Sequence, residues 1–382
     1  MANANQKSAL SFAVSATIDE LRHAIPIYAG EITPIILSEP GCGKSSLLAM
    51  IAEDMGDKWR KAGDEKREDN DDKYEYIYID CPLRDVMDMG AYIPVHAEKT
   101  LEYYVSGLLN FKSKKPKFIM LDEFMKAPKM MQVLFTRLML ERVWGDAVLP
   151  KGSCIFGTSN NASDGVGDTM LAHAGNRVMI VSMEKPNAKR WLPWSGEHNI
   201  AKAIRAWVAM NPRCLASYLD GGQEDNPYIF KPNNGVLSFV SPRSLAKCDV
   251  IVRNQDKVGK NMTRAALAGT IGLSAAEDMA AFLTLEKEII STKDVIANPE
   301  TTQIPEKTAA LCMMVFNAMD DLVTQDDLSA YMKFVNRIPS SELQNIFFTI
   351  LMGGKRTFKL GKNNEDVKNW CKKSDNLALL GD

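Results

Sequence analysis

The segment Ser38-Glu39-Pro40-Gly41-Cys42-Gly43-Lys44-Ser45 follows the short apolar run Pro34–Leu37 and precedes a helical pattern from Lys44 to about Asp54. Strand, glycine turn, helix is the context in which backbone N–H groups converge on phosphate oxygens. Gly41 and Gly43 permit the turn, and the helix N-terminus adds partial positive charge. Pro40, Gly41, Cys42, Gly43, Lys44, Ser45 and Ser46 are the candidate phosphate-cradling residues. Lys44 would reach the β- and γ-phosphates, and the Ser45 hydroxyl would serve Mg²⁺. Ser38 stands where the usual GxxxxGK[ST] pattern has its first glycine, so a chance glycine-rich turn is the competing reading.

A second apolar run, Lys117–Leu121, ends in Asp122-Glu123. Two carboxylates at the end of a buried strand suit a site in which Asp122 holds the metal shell and Glu123 polarises an attacking water. The alternative is an acidic pair that opens the next helix. A third run, Cys154-Ile-Phe-Gly-Thr-Ser-Asn160, ends in small polar residues. Asn160 could bond a γ-phosphate or a water there, or simply form a turn. Arg177, before the run Val178–Val181, and Arg243, just inside a helix that Pro242 opens, could neutralise charge on a transferring phosphoryl group. Either could equally be a surface ion-pair residue.

These groups need a scaffold, and the pattern supplies one. Strand-like runs at Pro34–Leu37, Tyr74–Asp80, Lys117–Leu121, Ser153–Gly157 and Val178–Val181 alternate with helical stretches, which predicts a parallel sheet in an α/β domain. One of those helices follows Asp122-Glu123, with apolar residues at Met130, Val133, Leu134, Leu138 and Met139. The charged segment Gly56–Lys73 reads as a solvated helix end and loop. After about Lys185 helical patterns dominate: Ile200 to Met210, Arg243 to Arg253, Thr263 to Leu285, Thr308 to Asp320 and Leu328 to Leu351. Ala297–Pro305 reads as a linker.

The chain resembles the AAA+ ATPases, specifically the MoxR-like branch. Beyond the segments above, Asp85-Val-Met-Asp-Met-Gly90 is similar to a D-x-x-x-x-G stretch, and Val105–Leu109 to a short strand before the acidic pair. Leu121-Asp-Glu-Phe-Met-Lys-Ala-Pro128 resembles L-D-E-I-N-R-A-P. Leu140–Asp146 with Leu149-Pro150 resembles a Q-E-R-x-V…L-P hairpin, and Ser241-Pro-Arg-Ser244 a sensor-2 S-P-R. The likeness covers about Thr17 to Val252 well. It extends more loosely, through Ala266–Gly272 and Ile296–Pro305, to a subgroup encoded beside von Willebrand A-domain proteins.

The resemblance implies an AAA+ α/β nucleotide-binding domain over 1–188, a helical lid over 189–295 and a C-terminal helical extension over 296–382. It implies ATP and Mg²⁺ as ligands, with Ser45 and Asp122 at the metal. Glu123, Asn160 (sensor 1), Arg177 (an arginine finger reaching a neighbouring subunit's ATP) and Arg243 (sensor 2) would be catalytic. A finger in trans implies a homo-oligomeric ring, usually a hexamer, with Arg142 and Lys126 near the subunit interface. Such a ring would remodel or activate a protein client, chaperone-fashion, a von Willebrand A-domain protein being the leading candidate. Asn161 departs from the family's usual proline after sensor 1. Two segments could face the centre of a ring: Val143–Lys151, with Trp144 and Val148, and the aromatic-rich Ala91–Tyr104. Core packing is the rival account of both.

Bulk composition bounds these readings. The 382 residues carry 46 Lys+Arg against 48 Asp+Glu, a net charge of −2, with 46% hydrophobic residues and mean hydropathy −0.18. That balance argues against a surface built wholly to grip nucleic acid, though a nucleic-acid-stimulated motor stays the main rival and a nucleotide-gated scaffold the second. The lysines of Lys112–Lys117 read as a solvated loop rather than a nucleic-acid patch. Seven widely spaced cysteines without CxxC suit reduced, mostly buried thiols, and the four histidines have no zinc-site spacing. No apolar run approaches membrane-spanning length, and MANANQKSAL has no signal-peptide layout, so no membrane contact and a cytoplasmic location are expected.

Overall fold

The computed structural model describes residues 14–57, 73–161, 177–232, 235–285 and 289–372. Most of the charged Gly56–Lys73 segment lies outside them. The chain forms two compact units, Met1–Lys185 with Lys231–Asn234, and Pro186–Phe230 with Gly235–Asp382.

The first unit is an α/β sandwich. Its elements are β1 (Ser15–Ala16), α1 (Ile18–Tyr28), β2 (Pro34–Ser38), α2 (Leu47–Asp54), β3 (Glu75–Asp80), α3 (Val86–Met89), β4 (Gly90–Val95), β5 (Thr100–Val105), β6 (Lys117–Asp122), α4 (Lys129–Glu141), β7 (Val143–Trp144), β8 (Ala147–Val148), β9 (Cys154–Asn160) and β10 (Met179–Met183). The six-stranded sheet is parallel throughout, in the order β1-β10-β2-β9-β6-β3. All five expected strands are present. Parallel pairing with helices on both faces explains their unbroken apolar character.

Strand alternation sorts the core into two halves. Ile35, Leu37, Ile77, Ile79, Ile119, Leu121 and Ile155 pack with α4 residues such as Phe135 and Leu138. Ile36, Tyr76, Phe118, Met120 and Phe156 pack with Leu21, Ile25, Leu47, Leu48 and Ile51 of α1 and α2. The Thr17–Glu20 capping box starts α1, where loss of such a cap costs about 1 kcal/mol.

Several local expectations change. In α4 the buried residues are Met131, Gln132, Phe135, Thr136, Leu138 and Met139, whereas Met130 and Val133 are exposed. The helix buries a face rotated by about one residue, because Gln132 turns inward to donate to the Met125 and Ala127 carbonyls. Gly107–Leu109 is a 3-10 turn rather than a strand. Lys112 and Lys114 are exposed, but Lys117 is not solvated: its side chain is fully buried and its ammonium pairs with Glu75. Trp144 is core, packed on Phe135 with ring centroids 5.7 Å apart, while Val148 is exposed. The Ala91–Tyr104 segment is the antiparallel β4–β5 hairpin, with Tyr92, Ile93, Leu101 and Tyr104 exposed. Tyr103 instead lies over Gly145, where a Cβ would fall 2.0 Å from its ring.

The second unit is helical: α5 (Ala188–Glu197), α6 (Lys202–Met210), α7 (Pro242–Arg253), α8 (Gln255–Val258), α9 (Lys260–Ile271), α10 (Leu273–Leu285), α11 (Thr292–Ala297), α12 (Thr308–Asp321), α13 (Gln325–Val335), α14 (Ser341–Gly353), α15 (Lys355–Asn363) and α16 (Glu365–Cys371). α12 is buried on nearly every side and forms the centre, as a helix apolar all round must. Two long helices expected from periodicity are each two. Gly272, at φ 85°, separates α9 from α10, and the Pro339-Ser340 turn, with Ser340 as N-cap, separates α13 from α14. Periodicity continues across both breaks because each pair of helices covers the same core.

Candidate phosphate and metal site

Parallel strands deliver their C-terminal ends to one edge of the sheet. Ser38 pairs in register with Asn160, Leu121 with Gly157, and Asp80 with Asp122. The three sequence segments singled out for chemistry therefore meet along that edge. Ser38, Asp122, Thr158 and Asn160 share one strand parity, the face that α1 and α2 cover, and so does Tyr78.

The loop between β2 and α2 turns through Gly41 and Gly43, both left-handed with φ of 79° and 100°. A side chain at either position would be strained. Lys44-Ser45-Ser46 forms a 3-10 turn before α2 rather than its first α-turn. Lys44 is buried. Its ammonium donates to the Ser38 carbonyl (3.0 Å), the Ser38 hydroxyl (2.9 Å), the Glu39 carbonyl (3.0 Å) and Asn160 Oδ1 (2.9 Å). Lys44 and Asn160 are thus in direct contact, and Ser38 contributes a side-chain acceptor that glycine would lack. Pro40 and Ser45 are half-buried and Ser46 is exposed. Cys42 is buried inside the loop. Burial, with the charge of Glu39, pushes its thiol up to about 12. Glu39 is itself buried, and its carboxylate lies 3.6 Å from the equally buried Lys185 ammonium.

Asp122 is also buried, and both of its oxygens are engaged. Thr158 Oγ donates to Oδ1, and the Tyr78 hydroxyl donates to Oδ2 at 2.6 Å. Burial and the Asp122 carboxylate hold the Tyr78 phenol above its ordinary range, so it remains a donor. Tyr78 sits opposite Met120 in the β3–β6 ladder, one diagonal step from Asp122, a distance an aromatic side chain spans. Glu123 adopts the left-handed conformation, φ 56° and ψ 36°, which costs a non-glycine residue about 1–3 kcal/mol. Its N–H donates to Thr158 Oγ at 3.4 Å, and its partly exposed carboxylate is paired with Lys126.

The oxygens available from Ser45 and Asp122 are hard donors of the kind a magnesium ion takes. The loop amides, Lys44 and the positive-φ glycines suit a phosphate.

The remaining candidates stand elsewhere. Arg177 is exposed, two residues before β10. Because Met179 pairs with Pro34 and β10 runs parallel to β2, Arg177 lies at the opposite sheet edge from the loop. About 13 Å of strand, four steps of ~3.3 Å from Pro34 to Ser38, intervenes. Arg243 is exposed in the first turn of α7, in the second unit, where Ser241 caps the helix and Pro242 occupies its first turn. Lys126 belongs to the site through Glu123. Arg142, half-buried, is committed internally: its guanidinium donates to the Ala29 and Gly30 carbonyls and to Thr33 Oγ, and burial lowers its pKa.

Tyr78, Thr158, Lys185 and the Glu39 carboxylate were not anticipated as parts of the site. Strand parity was the available signal for the first two, since both share the face of Asp122. Nothing local marks Lys185, which is 146 residues from Glu39.

No protein-family model and no curated protein matches the chain. Among solved structures, the RuvB Holliday junction branch migration motor of Thermotoga maritima is 11% identical, with TM-score 0.35 over 75% of this chain and 80% of that chain. NtrX from Brucella abortus, in complex with ADP, is 12% identical, with TM-score 0.32 over 96% of this chain and 70% of that chain. At these values the likenesses assign neither a family nor a function.

Proposed function

We propose that the protein is a Mg²⁺-dependent ATPase of the AAA+ class, MoxR-like, with a nucleotide-binding domain over 1–188, a helical lid over 189–295 and a helical extension over 296–382. The observation that carries the reading is the meeting of the glycine loop, Lys44, Asn160, Asp122 and Glu123 at one sheet edge. Three elements distant in sequence converge there on the groups that phosphoryl transfer to water requires.

The residues divide the work. The loop amides from Pro40 to Ser46 bind phosphate oxygens, and Lys44 exchanges its protein acceptors for them. Ser45 and Asp122 hold the magnesium ion, which supplies charge neutralisation on the phosphates. Glu123, once released from Lys126, orients the attacking water and takes its proton. Asn160 bonds the γ-phosphate or that water. Arg177 cannot serve its own loop from the far sheet edge, which supports its acting on a neighbour's nucleotide in a homo-oligomeric ring, a hexamer by resemblance. By resemblance, Arg243 is the sensor-2 residue. The ring would act on a protein client, a von Willebrand A-domain protein first among them. The described residues contain no helix long and apolar enough to cross a membrane.

The test is a pair of variants. Lys44→Ala abolishes nucleotide binding, and Glu123→Gln retains ATP while losing turnover. Nucleotide binding that survives Lys44→Ala overturns the phosphate-loop assignment. The rival is a nucleic-acid-stimulated motor, for which α15 offers exposed Lys359 and Lys362, while its Arg356 is committed to the Met319, Asp320 and Leu322 carbonyls. Stimulation of the ATPase by DNA or RNA at physiological salt would select that reading.

A further inference from the structure

Asp122 is buried, and a hydroxyl donor engages each of its carboxylate oxygens. A carboxylate carries about four lone-pair sites, and two of them, one on each oxygen, accept hydroxyl protons from Thr158 and Tyr78. Two donors on different oxygens fix the carboxylate plane, because rotation about the last side-chain bond would break both bonds at once. That bond is otherwise soft, since torsions to a planar group are broad. Thr158 is tied in turn to the Glu123 N–H. The Thr158 hydroxyl therefore links the orientation of Asp122 to the backbone that presents Glu123.

We infer that Tyr78 is a positioning residue for the divalent cation, its hydroxyl acting with that of Thr158 to aim the Asp122 carboxylate at the cation's shell. The inference rests on the proposed assignment of Asp122 to that shell. Tyr78 touches neither nucleotide nor metal in this account. It acts through Asp122, as outer-shell partners of metal-binding carboxylates do, and loss of such a partner costs about 10–100-fold in metal affinity. A phenylalanine keeps the ring and removes only the donor.

The test measures binding of a fluorescent ATP analogue to the full chain during a Mg²⁺ titration, and again in EDTA. For Tyr78→Phe the Mg²⁺ concentration at half-maximal binding rises by about 10-fold, while affinity in EDTA is unchanged. Thr158→Val moves in the same direction and Thr158→Ser stays near wild type, which keeps the test decisive if Tyr78→Phe fails to fold. Electron paramagnetic resonance of bound Mn²⁺ with ADP shows a broadened metal environment in both defective variants. An unchanged Mg²⁺ requirement in Tyr78→Phe and Thr158→Val overturns the inference and leaves the ATPase reading intact. A lowered requirement also overturns it, because the hydroxyl would then compete with the cation for Asp122. If the wild-type chain binds nucleotide with no Mg²⁺ dependence, or Lys44→Ala binds as wild type, the parent reading fails and this one with it.

Discussion

Replacing Lys185 with methionine tests how an acidic residue is tolerated inside the phosphate loop. Glu39 directly precedes Pro40 and its carboxylate is buried, 3.6 Å from the Lys185 ammonium. With an effective dielectric of about 20, two unit charges at that separation attract by about 4.6 kcal/mol. Both side chains are 2–3% exposed, so water cannot replace the lost partner. Breaking a buried pair from one side typically costs about 3–5 kcal/mol. Lys185→Met should therefore lower unfolding free energy by about that amount, read from urea denaturation of the nucleotide-free protein. The same variant should bind nucleotide more weakly, because negative charge in the loop is then less fully offset. Glu39→Gln with Lys185→Met should recover most of the stability, giving a coupling energy of at least about 2 kcal/mol in the four-protein cycle. A Lys185→Met protein within 1 kcal/mol of wild type, or a double variant no better than the single, would refute the argument.

Two further predictions follow from the same loop and the buried thiols. Ser38→Gly removes one acceptor that holds the Lys44 ammonium inside the protein, so nucleotide affinity should rise by about 2- to 12-fold, the equivalent of one hydrogen bond of about 0.5–1.5 kcal/mol; unchanged or weaker binding by calorimetry contradicts this. Burial raises the Cys42, Cys248 and Cys312 thiols to about 12, whereas an unfolded thiol titrates near ~8.5. Their folded pKa values are raised, so their contribution is complete below about pH 8.5 and is lost as pH climbs from there toward 12, at up to roughly 4 kcal/mol per pH unit for three thiols. Urea melts at pH 7.5, 9 and 10 should show this alkaline loss, and an identical slope in the triple alanine variant would assign it to other groups.

The α/β sheet was legible because parallel strands buried on both faces read as unbroken apolar runs, and five such runs recur between Pro34 and Val181. The glycine turn between β2 and α2 was legible because its glycines, lysine and serine are contiguous. What escaped the sequence reading has a common cause. Gln132 rotates α4 by satisfying carbonyls of a preceding turn, and Trp144 is drawn inward by Phe135, so both depend on tertiary partners that no local window contains. The breaks at Gly272 and Pro339-Ser340 carry turn chemistry, yet continuing apolar periodicity outweighed it. Lys117 read as part of a solvated basic loop because its partner, Glu75, lies on the neighbouring strand. Thr158 and Tyr78 were in principle accessible, since a strand of known direction places every second residue on the face of Asp122. That step needs the pairing order of the strands, which the sequence does not state.

Sheet polarity also explains why the arginines divide as they do. In a parallel sheet all C-terminal strand ends form one rim, where the loop after β2, the acids at the end of β6 and the end of β9 collect without further design. A residue that precedes a strand must fall on the other rim. Arg177 precedes β10, the immediate neighbour of β2, so it is laterally close to the phosphate loop yet separated from it by the length of the strands. A long side chain does not bridge about 13 Å of strand together with the turn beyond it. If Arg177 takes part in phosphoryl transfer, it does so on a nucleotide held by another copy of the chain. Mixing Lys44→Ala subunits, expected to lose nucleotide, with Arg177→Ala subunits should then restore turnover that neither variant shows alone, since Lys44→Ala subunits still offer the arginine and Arg177→Ala subunits the loop. Mixtures that stay at the level of the separate variants would contradict action in trans.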